Sequence, residues 1–294
     1  MAMDEKIDEK INGIGAVSGW RDAWGMFSGN KGAIAGLVIW LLIISMAIFG
    51  PLLYSGKPFE IVSTPMTPPG GKLFLGSDYM GRDVLAGIIY GAKVTLLVGL
   101  AATVCTVVIG VVIGTFAGYY GKQVDLFLMR VTEFFQVLPP ILLAMVLVTL
   151  FSPSYVTVIV AIGSVNWIST ARLTRAAFLK IKELDFVRAA RATGATNSRI
   201  MWRIILPNAF PPLIVITTLT IGSAILFEAA LSFLGLTDPN IMTWGFMIGA
   251  SRNYIWDSWW AVTFPGVAIF LTVLSISLIG DGLNDAMNLK LRVL

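Results

Sequence analysis

The sequence predicts an all-α integral membrane protein with six spans, on three observations. Of 294 residues, 56% are hydrophobic and 13% charged, about half the charged share of ordinary soluble domains. Charge-free apolar runs of the length a bilayer demands, roughly 20 residues, recur along the chain. Lysine and arginine are also distributed unevenly: with the N-terminus inside, sixteen of the 21 fall on inner segments and five on outer ones. That asymmetry sets orientation and places both termini in the cytosol.

The elements follow in order. A polar tail, 1–32, precedes the first span, 33–54, "AIAGLVIWLLIISMAIFGPLLY". Its opening, "MAMDEKIDEK", mixes acids and bases and leads into no short apolar core with a small-residue cleavage site, so it reads as a cytosolic tail rather than a secretory signal. The Pro- and Gly-rich segment 55–93 forms an outer loop. Near its end Ser77 or Asp78 could cap a short amphipathic helix, with Val84, Leu85, Ile88, Ile89 and Ala92 on one face, lying on the outer interface.

The core, 94–281, carries five further spans. The second is 94–117. The third starts near Asp125, and Pro139 and Pro140 bend it. "FSPS" at 151–154 turns the chain into the fourth. The fifth is 209–230 and the sixth 259–280, leaving a cytosolic tail, 282–294. Only helices suit such segments, because in hydrocarbon every backbone polar group must be satisfied within the segment.

Composition narrows the chemistry. Histidine is absent, which removes the commonest general base and the usual zinc ligand. The lone cysteine, Cys105, lies in an apolar run and supports no disulfide framework. No catalytic or metal site is expected. The net charge of +4 is explained by inner loops facing a bilayer, and a basic patch held between two spans is a poor nucleic-acid site. The Gly-Lys pairs at 56, 71 and 121 are followed by Pro, Leu and Gln, so no phosphate-binding G-x-x-x-x-G-K-[ST] loop is present.

Several polar or small residues invite two readings. Gly110, Gly114 and Gly118 repeat every four residues, a face for close helix packing or for sliding. Glu133, Asn166, Glu228 and Asp281 lie at or near membrane depth and are candidates for a pathway. For Glu228 and Asp281, near span ends, an interfacial or capping role is favoured, and Glu133 is placed to pair with Arg130. Trp244, Tyr254, Trp256, Trp259 and Trp260 read mostly as an interface belt, with docking of an external protein as the sharper alternative.

Between the fourth and fifth spans, 172–208, lie eight basic residues against Glu183 and Asp185. Charge alone would anchor the inner side, but the order within "RAARATGATNSRIMWRIILPNA" is specific. Ala189, Ala190 and Ala192 give a helix with a thin face, which Gly194 can stop in the left-handed conformation. A second helix restarts with a cap at Thr196 or Asn197, an apolar side of Ile200, Met201, Ile204 and Ile205, and Pro207 at its end. Two short helices with a glycine elbow make a knob suited to a groove on a soluble partner.

Ala189, Ala190, Gly194, Ile204, Leu206 and Pro207 match, at every spacing, the Glu-Ala-Ala loop of the membrane subunits of binding-protein-dependent ABC importers; Arg188 stands where that pattern has glutamate. "LGSDYMGRDVLAGIIYGAK", "LTRAAFLKIKELDFVRAARATGAT", "EAALSFLGL", "FPGVAIFLTVL" and "GDGLNDAM" extend the resemblance from Leu73 onward, toward the C-type permeases of the dipeptide, oligopeptide and nickel branch. Leu73 and Phe74 depart from the histidine and proline common there.

The resemblance implies a type I importer permease in the cell membrane that forms half of a pore with a homologous second permease, as a heterodimer. It implies two cytosolic ATPases seated on the coupling loop, 176–208, through residues 186–207, and an extracytoplasmic solute-binding protein. ATP and magnesium would be used by the partners, with no cofactor held by this chain. Peptides are the default cargo; oligosaccharides or nickel chelates are alternatives within the same architecture. An ion-coupled secondary carrier is a weaker rival, since the span midplanes carry almost no charge.

Overall fold

The computed structural model describes residues 19–288, and they are helical apart from loops and isolated β-bridges. The outermost parts of the two tails, 1–18 and 289–294, lie outside the described residues. A short helix, α1 (Gly19–Gly29), leads into α2 (Lys31–Leu53). Then come α3 (Val84–Tyr120), α4 (Lys122–Val137), α5 (Pro140–Leu150), α6 (Tyr155–Ile181) and α7 (Asp185–Ala192). The long α8 (Asn197–Phe233), the short α9 (Trp244–Ser251) and α10 (Trp260–Asn288) complete the order.

Five helices, α2, α3, α6, α8 and α10, are each long and apolar enough to cross a bilayer. Counted as one span, the pair α4 and α5, bent by 86° at the break between them, makes a sixth. Leu138 there is extended and Pro139 precedes the first turn of α5. Proline disfavours helical geometry in the residue before it and lacks the N–H that would continue the ladder. The bend foreseen at Pro139 and Pro140 is thus a full break, and α4 starts at Lys122, slightly before Asp125.

The outer-loop helix foreseen as a separate interfacial element is instead the first part of α3, a single 37-residue helix. Its cap is neither Ser77 nor Asp78 but Asp83, whose Oδ1 accepts from Leu85 N at 2.9 Å. The segment is buried on most sides rather than on one, as Ala86, Gly87 and Gly91 join Val84, Ile88, Ile89 and Ala92 inside. Gly87 and Gly91 present no side chain, so Met247 and Trp244 of α9 close over them. An amphipathic pattern alone could not reveal this cover.

The closest packing joins α3 to α6. A Cβ on Gly110, Gly114 or Gly118 would lie within 3 Å of backbone or Cβ atoms at Trp167, Thr170, Ala171, Thr174, Arg175 or Phe178. Small residues at four-residue spacing let these backbones approach, and attraction in a bilayer depends on such contact because lipid is as apolar as the side chains. Lys182 Nζ reaches the carbonyl of Gly118 at 3.0 Å, satisfying an open acceptor at the end of α3. At the same end Asn30 caps α2 through Ala33 N at 3.1 Å and donates to Asp285 of α10, also at 3.1 Å. The first and last spans therefore begin and end on the face that carries the α7 loop, as an even number of crossings requires.

Candidate functional site

At that face, Leu184 leads into α7, and Val187 is the residue of α7 buried against the bundle. The chain then reverses at Gly194, which has φ of +82° and open space where a Cβ would sit. Thr196 starts the next helix, its hydroxyl accepting from Arg199 N at 3.4 Å. Of the two caps foreseen, Thr196 is the one formed.

The second short helix is not a separate element. From Asn197 the chain runs into the fifth span as α8, with a six-residue π-helical segment, Ile200–Ile205, inside it. Leu206 N bonds the carbonyl of Met201, five residues back. Pro207 follows in the first turn of the α-helical part, Leu206–Phe233. A proline inside a helix removes a donor and crowds the carbonyl four residues back; a wider turn just before it relieves that crowding. Asn208 Nδ2 also donates to Ile204 O at 2.7 Å. Pro207 is therefore carried within a continuous helix, where proline was expected to end one.

The apolar side of the loop is seated on the bundle. Ile200, Met201 and Ile205 are buried with Val187, Tyr119 and Phe178, and Ile204 is partly buried. Tyr119 Oη donates to Asn197 Oδ1 at 2.7 Å, tying the loop to the end of α3. Arg175 holds Asp125 through two bonds of 2.5 and 2.6 Å, linking α6 to α4 beside it. Arg172 likewise donates to Gln136.

What remains outward is the other side of the knob. Arg188, Ala189, Arg191, Ala192, Gly194, Arg199, Arg203 and Pro207 are exposed, and Ala190 and Leu206 are intermediate. Arg188 has carboxylates of its own chain near it, Glu183 at 3.5 Å and Asp185 at 3.7 Å, all three strongly exposed. Leu184, Phe186 and Trp202 also show large apolar surface. The motif residues thus divide: Ala189, Gly194 and Pro207 face outward, while Ile204 looks toward the anchor.

The polar residues singled out at membrane depth are scattered. Glu133 accepts from Arg130 at 3.0 Å on an exposed face. Asn166 donates to Ile162 O one turn back at 3.2 Å. Glu228 overturns the interfacial reading: it is 1% exposed, its Oε1 accepts from Ser232 Oγ at 2.6 Å, and its Oε2 has no partner. Its place near the end of a span suggested escape to water, but the chain after Phe233 folds back as α9, and Thr243, which caps that helix, covers it. Asp281 is exposed.

The opposite face is tightly tied. Trp244 is fully buried and Trp260 nearly so, against the expectation of a headgroup belt. Their ring N–H groups donate to Ile88 O and Ser77 O, each at 2.9 Å. Trp256 and Trp259 are exposed. Ser77 Oγ accepts from Thr67 N and donates to Thr64 O, and Asp78 accepts from Met80 N and Arg82 N. Burial pushes the Asp78 carboxyl above the usual carboxylate range, while the backbone N–H groups of Arg82 and Met80 pull it back. Tyr54 Oη donates to Asp83. The sequence showed these tryptophans but not the partners, 156 and 183 residues away, that their ring N–H groups reach.

Comparison with known proteins agrees with this arrangement. Residues 110–293 match the family described as binding-protein-dependent transport system inner membrane component, and residues 18–69 match the N-terminal TM domain of oligopeptide transport permease C. The di/tripeptide transport system permease protein DppC of Pseudomonas aeruginosa is 39% identical over 280 residues, 92% of each chain. The dipeptide transport system permease protein DppC of Alkalihalophilus pseudofirmus is 40% identical over 279 residues, 94% of this chain and 92% of that one. The oligopeptide transport system permease protein OppC of Bacillus subtilis is 34% identical over 291 residues, 98% and 93%.

Among solved structures, the MetNI methionine ABC transporter in inward-facing conformations shares the fold, with a TM-score of 0.54 at 20% identity over 68% of this chain and 96% of that one. With its bundle of membrane-length helices and its outward-facing loop, this chain belongs to the binding-protein-dependent transport system inner membrane component family, as a multi-pass permease of the cell membrane.

Proposed function

We propose that this chain is one half of the pore of an ATP-driven peptide importer, paired with a homologous second permease. Two cytosolic ATPases dock on the loop between Phe186 and Pro207, and an extracytoplasmic binding protein delivers cargo to the opposite face. The observation that carries this reading is the knob itself. It is anchored inward by Ile200, Met201 and Ile205, and it presents alanines, an open glycine turn and arginines outward. A thin, partly apolar and basic knob fits a groove on a soluble chain. Peptide is the favoured cargo, since the relatives at 39 and 40% identity are di/tripeptide and dipeptide transport permeases.

Nucleotide-driven closure of the ATPases would move the knob and exchange inward for outward access, two global states that the partners bias. Both tails and the loop would lie in the cytosol, in line with the lysine and arginine asymmetry. The test is Gly194→Val. At a φ of +82° a β-branched residue is strained by about 1–2 kcal/mol, yet nothing stands near its Cβ, so the chain should still insert. Uptake of a labelled dipeptide by cells carrying the full transporter should fall sharply; normal uptake would refute the coupling role.

A further inference from the structure

We propose that the π-helical segment Ile200–Ile205 is a register switch between the docking loop and the fifth span, with Ile204 and Ile205 as alternate occupants of one buried anchor site. The proposal rests on the docking reading above and adds how motion passes inward.

Three observations meet at this segment. The backbone bonding changes along it: Ile200 N bonds Thr196 O, four residues back, whereas Leu206 N bonds Met201 O, five back. Pro207 supplies no N–H, so the ladder lacks a donor immediately after the wider turn. Ile204 O, which would bond the backbone N–H of Asn208 in an α-helix, takes an amide N–H from the Asn208 side chain. That bond does not depend on which backbone register is chosen.

The buried positions follow the wider turn. Ile200, Met201 and Ile205 are 0%, 2% and 0% exposed, while Ile204 is only partly buried. Bonding five residues back sets Ile205 over Ile200; bonding four back would set Ile204 there instead. The two side chains are the same, so the cluster of Tyr119, Phe178 and Val187 would be filled equally well in either register. A near-degenerate pair of packings is what a two-state element needs.

The exchange has a defined mechanical result. Shifting Leu206 N from Met201 O to Trp202 O turns the loop relative to the span by roughly 100° and advances it by about 1.5 Å, the step of one helical residue. Pull on the knob by a docked ATPase is thereby converted into rotation of α8. This also gives Ile204 a role that its partial burial in the present register leaves open: it is the anchor of the other state.

The test is deletion of Trp202, an exposed residue of the segment. Removing it brings Ile205 to four residues after Ile200, so Ile200, Met201 and Ile205 keep their places in an ordinary α-helix and the switch is lost. The deletion chain should insert and retain its ATPase on gentle purification, yet lose most peptide uptake. Spin labels at Arg199→Cys and Leu219→Cys, in a Cys105→Ser background, read the register directly. The expected result is two distances whose ratio changes with nucleotide in the otherwise unaltered chain, and one unchanging distance after deletion.

Normal uptake by the deletion chain would overturn the switch. So would one invariant distance in the otherwise unaltered chain while the ATPase is retained. Absence of any ATPase from the purified chain with Trp202 present would defeat the docking reading, and the switch with it.

Discussion

The two faces of this bundle are built on opposite plans. On the face of the outer loop and α9, Trp244, Trp260, Ser77, Asp78 and Asp83 each have partners inside the chain, those of the two tryptophans drawn from distant segments. On the face of α7, arginines, alanines and a left-handed glycine stand in solvent, and the ion pairs of Arg188 are long and exposed. The first face is tied mainly by bonds within the chain, with Arg82 Nε and Glu228 Oε2 buried without a partner; the second is anchored inward and exposed outward. A polar group made to be satisfied within the fold is buried and bonded, and one made for a partner is left out.

Mutations should separate the two faces by size of effect. The largest belongs to Trp244→Ala, which removes a fully buried ring and its bond to Ile88 O and should cost about 3–5 kcal/mol, read as a lowered thermal unfolding midpoint in detergent. Next is Gly114→Val. Its Cβ would lie 2.4 Å from Ala171 O and 3.0 Å from Arg175 N, atoms that cannot swing away, so overpacking of about 1–3 kcal/mol is expected in the same assay.

Asp125→Ala strands Arg175, whose side chain is 33% exposed. Water can reach it, so the loss should fall to about 1–2 kcal/mol, between the values for exposed and buried pairs. The smallest effect is at Arg188→Ala, within about 0.5 kcal/mol. A large loss of stability there would mean that the loop face is held together by its own charges, and the contrast between the faces would fail.

How much of this was legible in the sequence follows the same division. Features set by local order were readable: the spans, the turn at 151–154, the Thr196 cap, the Gly194 elbow and the motif spacing all depend on residues within a turn or two of one another. Burial created from afar was not. Trp244 reads as a belt residue until Ile88 and Thr95 close on it, and Glu228 reads as interfacial until Thr243 folds back over it. The length of α3 was missed because Pro and Gly upstream made 55–93 look like one loop, although Asp83 is an ordinary cap. The π segment has no periodicity of its own at six residues, so its wider turn was not readable.

The central claim is that the α7 face is the one that meets the motor. It is tested most directly by placing single cysteines at Ala192 and at Trp256, both exposed and on opposite faces, in a Cys105→Ser background. A short bifunctional cross-linker is then applied to membranes containing the assembled transporter. The account predicts that position 192 joins the ATPase subunit and position 256 does not; cross-linking of the ATPase at position 256, with none at 192, would contradict it.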